Sequence, residues 1–167
     1  MVIPHEDKKF IIVNCGIITI SDTRNFESDK SGKIIKEKLS EKQHNISFYQ
    51  IVKDDPEQIK SLINKLVKEE TIDILILNGG TGIAPRDNTF DVLEKLLDKK
   101  IPGFGELFRY LSYQEIGSRA MVSRAIAGIY KNKIIFSLPG SSNAVKLGMD
   151  KLILPELNHL ISQLSSS

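Results

Sequence analysis

Hydrophobic and polar positions along the chain follow two patterns that alternate. Residues 10–20 and 72–77 are apolar and rich in β-branched side chains, and residues 46–52 alternate between apolar and polar, so all three stretches are typical of strands. After each of them, apolar residues return every three or four positions, which is typical of helices that pack one face against a sheet. Three repeats of strand and helix in this order predict a largely parallel sheet with right-handed crossovers.

Capping residues mark where these helices should begin. Short polar side chains that accept a backbone N–H are favoured just before a helix, and proline is favoured at its first position. The candidates are Asp29 or Ser31 for the first helix, Asp55 ahead of Pro56 for the second, and Asp87 or Asn88 for the third.

The second half of the chain predicts a mixed sheet. Residues 125–130 and 133–138 flank a polar turn and are expected to form an antiparallel hairpin at one side of the sheet. Further helices are predicted around residues 107–116 and from Pro155 onward. The predicted fold class is α/β, a three-layer α/β/α sandwich with a mostly parallel, mixed central sheet.

Composition supports one domain and excludes several classes of function. A chain of 167 residues, 41% of them hydrophobic, can bury a single core, so residues 1–167 are predicted to form one domain with residues 1–9 as a flexible tail. The 23 basic and 21 acidic residues are spread along the chain, which gives no electrostatic signal for nucleic acid or a membrane surface. Because no apolar segment is long enough for a signal peptide or a membrane span, a cytoplasmic protein is expected.

Cysteine and histidine give little sign of redox or zinc chemistry. The single cysteine, Cys15, lies in the first predicted strand and is expected to be a small core residue, and it excludes an internal disulfide. The three histidines are too scattered for the spacing of a structural zinc site.

The most informative stretch follows the third predicted strand. Residues 79–82, Gly-Gly-Thr-Gly, would let the backbone turn sharply, and their N–H groups and the Thr81 hydroxyl could converge on a phosphate. Arg86 offers a guanidinium fork for phosphate oxygens, and Asp87 is a hard oxygen ligand for a metal ion that bridges them. The alternative is a plain junction in which the glycines only make the turn and Asp87 only caps the helix. The spacing matches neither a P-loop nor a dinucleotide fingerprint.

Several polar segments follow predicted strands and should meet at one rim, because ligands of parallel sheets bind at the carboxyl ends of the strands. Three such segments are residues 21–22, 54–55 and 79–87. A second segment rich in glycine and hydroxyl groups, residues 139–143, follows the last strand and opens a helix whose N-terminus could hold another anion. Alternatively, Ser142 or Asn143 only caps that helix.

An ordered set of segments spans nearly the whole chain. They are ITISDT, DKSG, VKDD, LNGGTGIAPRDNTFD, IPGFGELFR, SRAIAGI and FSLPGSSNAV, with PELNHL near the end. A single piece such as GGTG is weakly specific, but seven pieces in the right order and spacing are strongly specific. In this set the chain resembles the MoaB/MogA family of molybdopterin-binding proteins, and the segments from Ser123 onward are more similar to the MoaB branch.

The resemblance implies molybdenum cofactor biosynthesis, in particular adenylation of molybdopterin by Mg-ATP with release of pyrophosphate. Asp54 and Asp87 match the family's catalytic aspartates, and either could bind Mg²⁺ or position the phosphates. The residues implied to hold the substrates are Ser21, Asp22, Gly79, Gly80, Thr81, Gly82, Gly140, Ser141, Ser142 and Asn143. Ser123 and Arg124 are weaker candidates, because a strand-edge arginine is more often solvated or part of an interface.

One departure from the family pattern and one alternative function stay open. Phe90 and Asp91 stand where Pro-Glu is usual. Asp91 would either reach less far toward a ligand or serve the dipole of the helix's first turn, and we favour the second. Some family members bind the pterin or partner enzymes without catalysis, so a non-catalytic molybdopterin-binding or partner-binding protein is the alternative. A nicotinamide-dependent oxidoreductase lacks its fingerprint after the first strand.

The resemblance also implies a homo-oligomer, a trimer or a hexamer. The apolar helix at residues 104–111 is compatible with a buried subunit contact. Contacts with other molybdenum cofactor biosynthesis proteins are compatible with the same family role. The sequence does not decide between a molybdenum and a tungsten pathway.

Overall fold

A computed structural model describes residues 9–166, which form six strands and six helices. The strands are β1 Asn14–Ile20, β2 Asn45–Val52, β3 Ile74–Asn78, β4 Lys99–Lys100, β5 Ile126–Tyr130 and β6 Lys133–Leu138. The helices are α1 Lys30–Glu41, α2 Pro56–Leu66, α3 Thr89–Leu96, α4 Pro102–Ile116, α5 Ser142–Gly148 and α6 Leu154–Ser165. A 3-10 segment, Gly117–Val122, follows α4, and a π-helical turn, Met149–Ile153, joins α5 to α6. The tail expected at residues 1–9 lies outside the described residues except for Lys9.

The strands form one mixed sheet in the order β2-β1-β3-β6-β5-β4. The first four in this order are parallel, whereas β5 runs antiparallel to β6 and β4 runs antiparallel to β5. The predicted hairpin of β5 and β6 is confirmed, and it lies toward one side of the sheet, between β3 and the two-residue strand β4. The edge is β4, which the pattern missed because its two exposed lysines carry no hydrophobic signal.

Helices cover both faces of the sheet, which confirms the three-layer sandwich. Helices α1, α4, α5 and α6 share one core cluster with the strand residues Ile76 and Phe136. Helices α2 and α3 share a second cluster with Leu75 and Ile135. Adjacent strand residues therefore face opposite layers, as the period of two in a strand requires. No helix within residues 9–166 is long and apolar enough to cross a membrane.

Side-chain capping bonds match the prediction at two of four helix starts. Asp29 caps α1 by accepting the Gly32 N–H, and Asp55 caps α2 by accepting the Gln58 N–H. Asn88 occupies the cap position of α3, as one of the two predicted residues, but its side chain makes no capping bond, and the Asp87 carboxylate accepts the Ala84 N–H instead. Helix α5 is capped by the residue before the two predicted ones, Ser141.

Cys15 is fully buried in the sandwich, as predicted. Burial and the nearby charge of Asp73 raise the pKa of its thiol to about 12. The thiol therefore stays protonated at neutral pH and acts as a small core residue.

Candidate functional site

Four loops converge at the carboxyl edge of the sheet because β1, β2, β3 and β6 are parallel neighbours. The Ser21 N–H donates to the Val52 carbonyl at 2.8 Å, which joins the loops after β1 and β2. The Gly79 N–H donates to the Leu138 carbonyl at 3.0 Å, which joins the loops after β3 and β6. The strand-end segments therefore lie at one rim, as the sequence predicts.

Three carboxylates, those of Asp22, Asp54 and Asp87, lie near one another at this rim without forming one cluster of ligands. The Asp54 carboxylate accepts the Asn88 N–H at 3.1 Å, which places Asp54 next to the residue that follows Asp87. The Asp22 carboxylate accepts the Asp54 N–H, also at 3.1 Å. Burial raises the pKa of Asp54 most, hydrogen bonds from Asn88 oppose this rise, and repulsion from Asp87 and Asp22 adds to it. A cation at this rim would relieve that repulsion.

The donor set suits Mg²⁺. Among residues 9–166, no three His, Cys, Asp or Glu side chains are grouped so that they could hold a metal ion. Mg²⁺ commonly takes one or two carboxylates and completes its shell with water and substrate phosphates. Asp54 and Asp87 fit this requirement, because they are partly exposed at one rim beside a loop of backbone amides.

The loop after β3 needs its glycines for two reasons. Gly79 and Gly80 have positive φ values of 101° and 68°, which other residues rarely adopt. A Cβ on Gly80 would lie 2.2 Å from the Thr89 hydroxyl oxygen and 2.6 Å from an Asp54 carboxylate oxygen. A Cβ on Gly82 would lie 2.8 Å from the Asp87 carboxylate. Both predicted catalytic aspartates therefore pack against glycines of this loop.

Arg124 fixes the backbone of the glycine loop through hydrogen bonds to its carbonyl groups. Its guanidinium donates to the Gly82 carbonyl at 2.7 and 3.1 Å and to the Asp87 carbonyl at 3.1 Å. It also forms a 3.0 Å ion pair with Asp91 and lies 4.9 Å from the centre of the Phe90 ring. Arg124 is thus a support of the loop and not a freely solvated side chain. Asp91 lies in the first turn of α3, the interpretation that we favoured.

The loop after β6 packs directly on the loop after β3. A Cβ on Gly140 would lie 3.3 Å from the Gly79 Cα, so the two backbones nearly touch. The Gly140 carbonyl accepts from Ser31 at 2.6 Å and from Arg24 at 2.8 Å. The sequence reasoning missed Arg24 and Ser31, although the position of Arg24 four residues after the end of β1 was a usable signal.

The other predicted substrate-binding residues are less uniformly placed. Ser21 uses its hydroxyl oxygen to accept the Thr23 and Arg24 N–H groups within its own loop. Thr81 is only 4% exposed, and its carbonyl accepts the N–H of Arg124. Ser142 begins α5, whereas Asn143 borders a depression that it shares with Glu115 and Ile116 at the end of α4. Asn143 is therefore the predicted residue with the weakest link to the rim.

The fold and the rim define a class, the α/β proteins that bind ligands at the carboxyl edge of a parallel sheet. A family model with the description "Probable molybdopterin binding domain" matches residues 16–159. Since the match covers most of the chain, the protein belongs to this family, the MoaB/MogA family that its sequence resembles.

Similar proteins extend over nearly the full chain. "Molybdenum cofactor biosynthesis protein B" of Bacillus cereus is 53% identical over 153 residues, which are 91% of this chain and 90% of the relative. A crystal structure of a molybdenum cofactor biosynthesis protein B is 52% identical, with a TM-score of 0.91 over 94% of this chain and 98% of that chain. The "tungsten cofactor synthesizing protein MoaB" of Pyrococcus furiosus is 37% identical, with a TM-score of 0.81 over 92% and 97%. The predicted resemblance and the predicted fold class are confirmed.

Proposed function

We propose that the protein adenylates molybdopterin with Mg-ATP and releases pyrophosphate. A role in molybdenum cofactor biosynthesis is supported by the family and by the names of its relatives. The finer activity rests on one observation, the convergence of Asp54, Asp87 and the glycine loop 79–82 at a single rim. A site that joins two phosphate-bearing substrates needs this combination of carboxylates for a cation and bare amides for anions.

The reaction would form one P–O bond and break another. An oxygen of the terminal phosphate of molybdopterin attacks the α-phosphorus of ATP in line, the bond from that phosphorus to the β-phosphate breaks, and pyrophosphate leaves. The protein supplies orientation and charge, which are the main catalytic terms in phosphoryl transfer. Bound Mg²⁺ would neutralise the charge that builds up on the phosphate oxygens. Asp54 and Asp87 would hold that ion, while the amides of residues 79–82 would hold phosphate.

The test is an assay of the purified protein with molybdopterin, ATP and Mg²⁺, read out as adenylylated pterin and pyrophosphate. We expect both products in equal amounts. Binding of molybdopterin with no product would contradict the proposal and support a non-catalytic pterin-binding protein.

The sharpest variant is Asp87→Asn, which keeps the size of the side chain and removes its charge. We expect the rate of transfer to fall about 100-fold or more, the order found for the loss of one electrostatic contact in an active site. Glu94→Gln is the control, because Glu94 lies in the same region of the chain with a half-exposed side chain that pairs loosely with Lys100 at 3.7 Å. If Asp87→Asn transferred the adenylyl group as fast as Glu94→Gln does, Asp87 would have no role in the reaction.

We also propose that the protein acts as a homo-oligomer, a trimer or a hexamer. The support is a set of large apolar side chains that are at least 43% exposed on α4 and the 3-10 segment after it. They are Leu107, Tyr110, Tyr113, Ile116, Met121 and Val122. A cluster of large, exposed apolar side chains is typical of a surface that contacts another protein.

A further inference from the structure

Arg24 is fixed at the rim by bonds to three separate segments. Its guanidinium donates to the Gly140 carbonyl at 2.8 Å and to the Ser31 hydroxyl at 3.3 Å, and its own N–H donates to the Ser21 hydroxyl at 3.1 Å. It therefore bridges the loop after β1, the start of α1 and the loop after β6. Its side chain is still 31% exposed, so part of the charged fork remains open to solvent.

A buried carboxylate stands behind this arginine. Asp29 is fully buried and accepts bonds from the hydroxyls of Thr19 and Tyr49 at 2.6 and 2.5 Å and from the Gly32 N–H at 3.0 Å. Arg24 lies 3.6 Å from the same carboxylate, which is too long for a good hydrogen bond. Asp29 is thus satisfied mainly by three neutral donors, and its attraction orients Arg24 without consuming the donors of the guanidinium.

The position of Arg24 complements the rest of the rim. The carboxylates of Asp54 and Asp87 pack against glycines of the loop after β3, whereas Arg24 lies against Gly140 of the loop after β6. The nearest guanidinium nitrogen is 3.8 Å from the Cβ position of Gly140, so the fork lies directly against the loop after β6. An arginine fork held in place before binding loses little entropy when it pairs with a phosphate.

We propose that Arg24 is a substrate-binding residue whose guanidinium contacts a phosphate group of a substrate bound at the rim, beside the loop after β6. Asp29 is the positioning residue that holds Arg24 there. This inference rests on the proposed function in that it takes the substrates to be Mg-ATP and molybdopterin, both of which carry phosphate.

The experiment compares Arg24→Gln and Arg24→Lys with one control. Lys36→Gln removes the same charge from an exposed position on α1. The dissociation constants of Mg-ATP and of molybdopterin are measured separately by titration calorimetry. The melting temperature of each variant is recorded alongside.

We expect Arg24→Gln to weaken the binding of one of the two substrates at least tenfold, Arg24→Lys to weaken it less, and Lys36→Gln to stay within about twofold of the wild type. Unchanged affinities in Arg24→Gln would overturn the inference. An equal loss in Lys36→Gln would also overturn it, because the net charge of the protein and not the position of the guanidinium would then matter. The adenylation assay of the wild type tests the proposed function separately, since the affinities can be measured whether or not transfer occurs.

Discussion

At the scale of single residues, the ionised form of Asp54 is destabilised by burial and by the other acidic side chains at the rim. Its pKa is raised, chiefly by burial and further by repulsion from Asp87 and Asp22, although Asn88 donates to it. The charged form is therefore less favourable in the folded protein than in the unfolded chain. Residues of active sites often lower the stability of the folded protein in this way, because natural selection acts on their function and not on their contribution to stability.

We expect Asp54→Asn to raise the melting temperature at neutral pH while it impairs transfer. An aspartate with a raised folded pKa contributes nothing unfavourable below its ordinary pKa of about 4, and its charged form becomes destabilising as the pH rises through the folded pKa. The gain of the variant should therefore vanish in thermal melts below about pH 4 and grow as the pH rises above that value.

The neighbour Asp55 provides the control for this prediction. It caps α2 by accepting the Gln58 N–H at 2.9 Å, and asparagine caps a helix about as well as aspartate. The melting temperature of Asp55→Asn should therefore stay close to that of the wild type at neutral pH. A variant Asp54→Asn that melts below the wild type at neutral pH would show that ionised Asp54 stabilises the fold.

At the scale of elements, the unit formed by β3, the glycine loop and α3 builds most of the site. The strand is buried along its whole length, so its direction is fixed by the sheet. The Thr89 N–H at the start of α3 donates to the Gly80 carbonyl at 3.1 Å, which closes the loop tightly. Arg124 then fixes the far end of the loop through Gly82. The loop geometry is thus set by contacts on both sides.

Gly80→Ala tests this geometry. The positive φ alone should cost about 1–2 kcal/mol of unfolding free energy for a residue with a Cβ. The added carbon would also displace Thr89 and the Asp54 carboxylate, so transfer should fall well below the wild-type rate. Denaturant unfolding and the adenylation assay measure the two effects.

Gly103→Ala is the matched control, because a Cβ at Gly103 in α4 would meet nothing within 4 Å. Alanine is favoured over glycine in a helix, so this variant should be more stable than the wild type by up to about 1 kcal/mol. If Gly80→Ala were as stable and active as this control, the close packing of the loop against Asp54 would have no functional meaning.

At the scale of the whole molecule, the apolar surface on α4 tests the proposed oligomer. Leu107 is 53% exposed on this helix, and a charge buried in a subunit contact without a partner is strongly unfavourable. Leu107→Glu should therefore shift the protein to a smaller species in light scattering while circular dichroism stays unchanged. Gln58→Glu, on α2 at the other side of the sheet, adds the same charge and should leave the mass unchanged. A wild type that is already monomeric would remove the proposal.

Much of the fold followed from local pattern. The period of the apolar residues predicted β1, β2, β3 and the helices between them, and short polar residues predicted two caps, because these features depend on neighbours within about four positions. The same patterns missed β4, whose pairing with β5 owes nothing to hydrophobicity. They also did not give the order of the strands, because the order of strands in a sheet is not a local property.

What the sequence determined alone is the family, the alternation of strands and helices, and the gathering of Asp54, Asp87 and the glycine loop at one rim. That rim follows from the direction of parallel strands. Only the tertiary structure decided which side chains form hydrogen bonds that fix the loops at the rim. Arg24 bonds to a carbonyl 116 positions away, and Arg124 to one 42 positions away. Such contacts exist only after β6 has paired with β3 and brought distant segments together, so no local pattern encodes them.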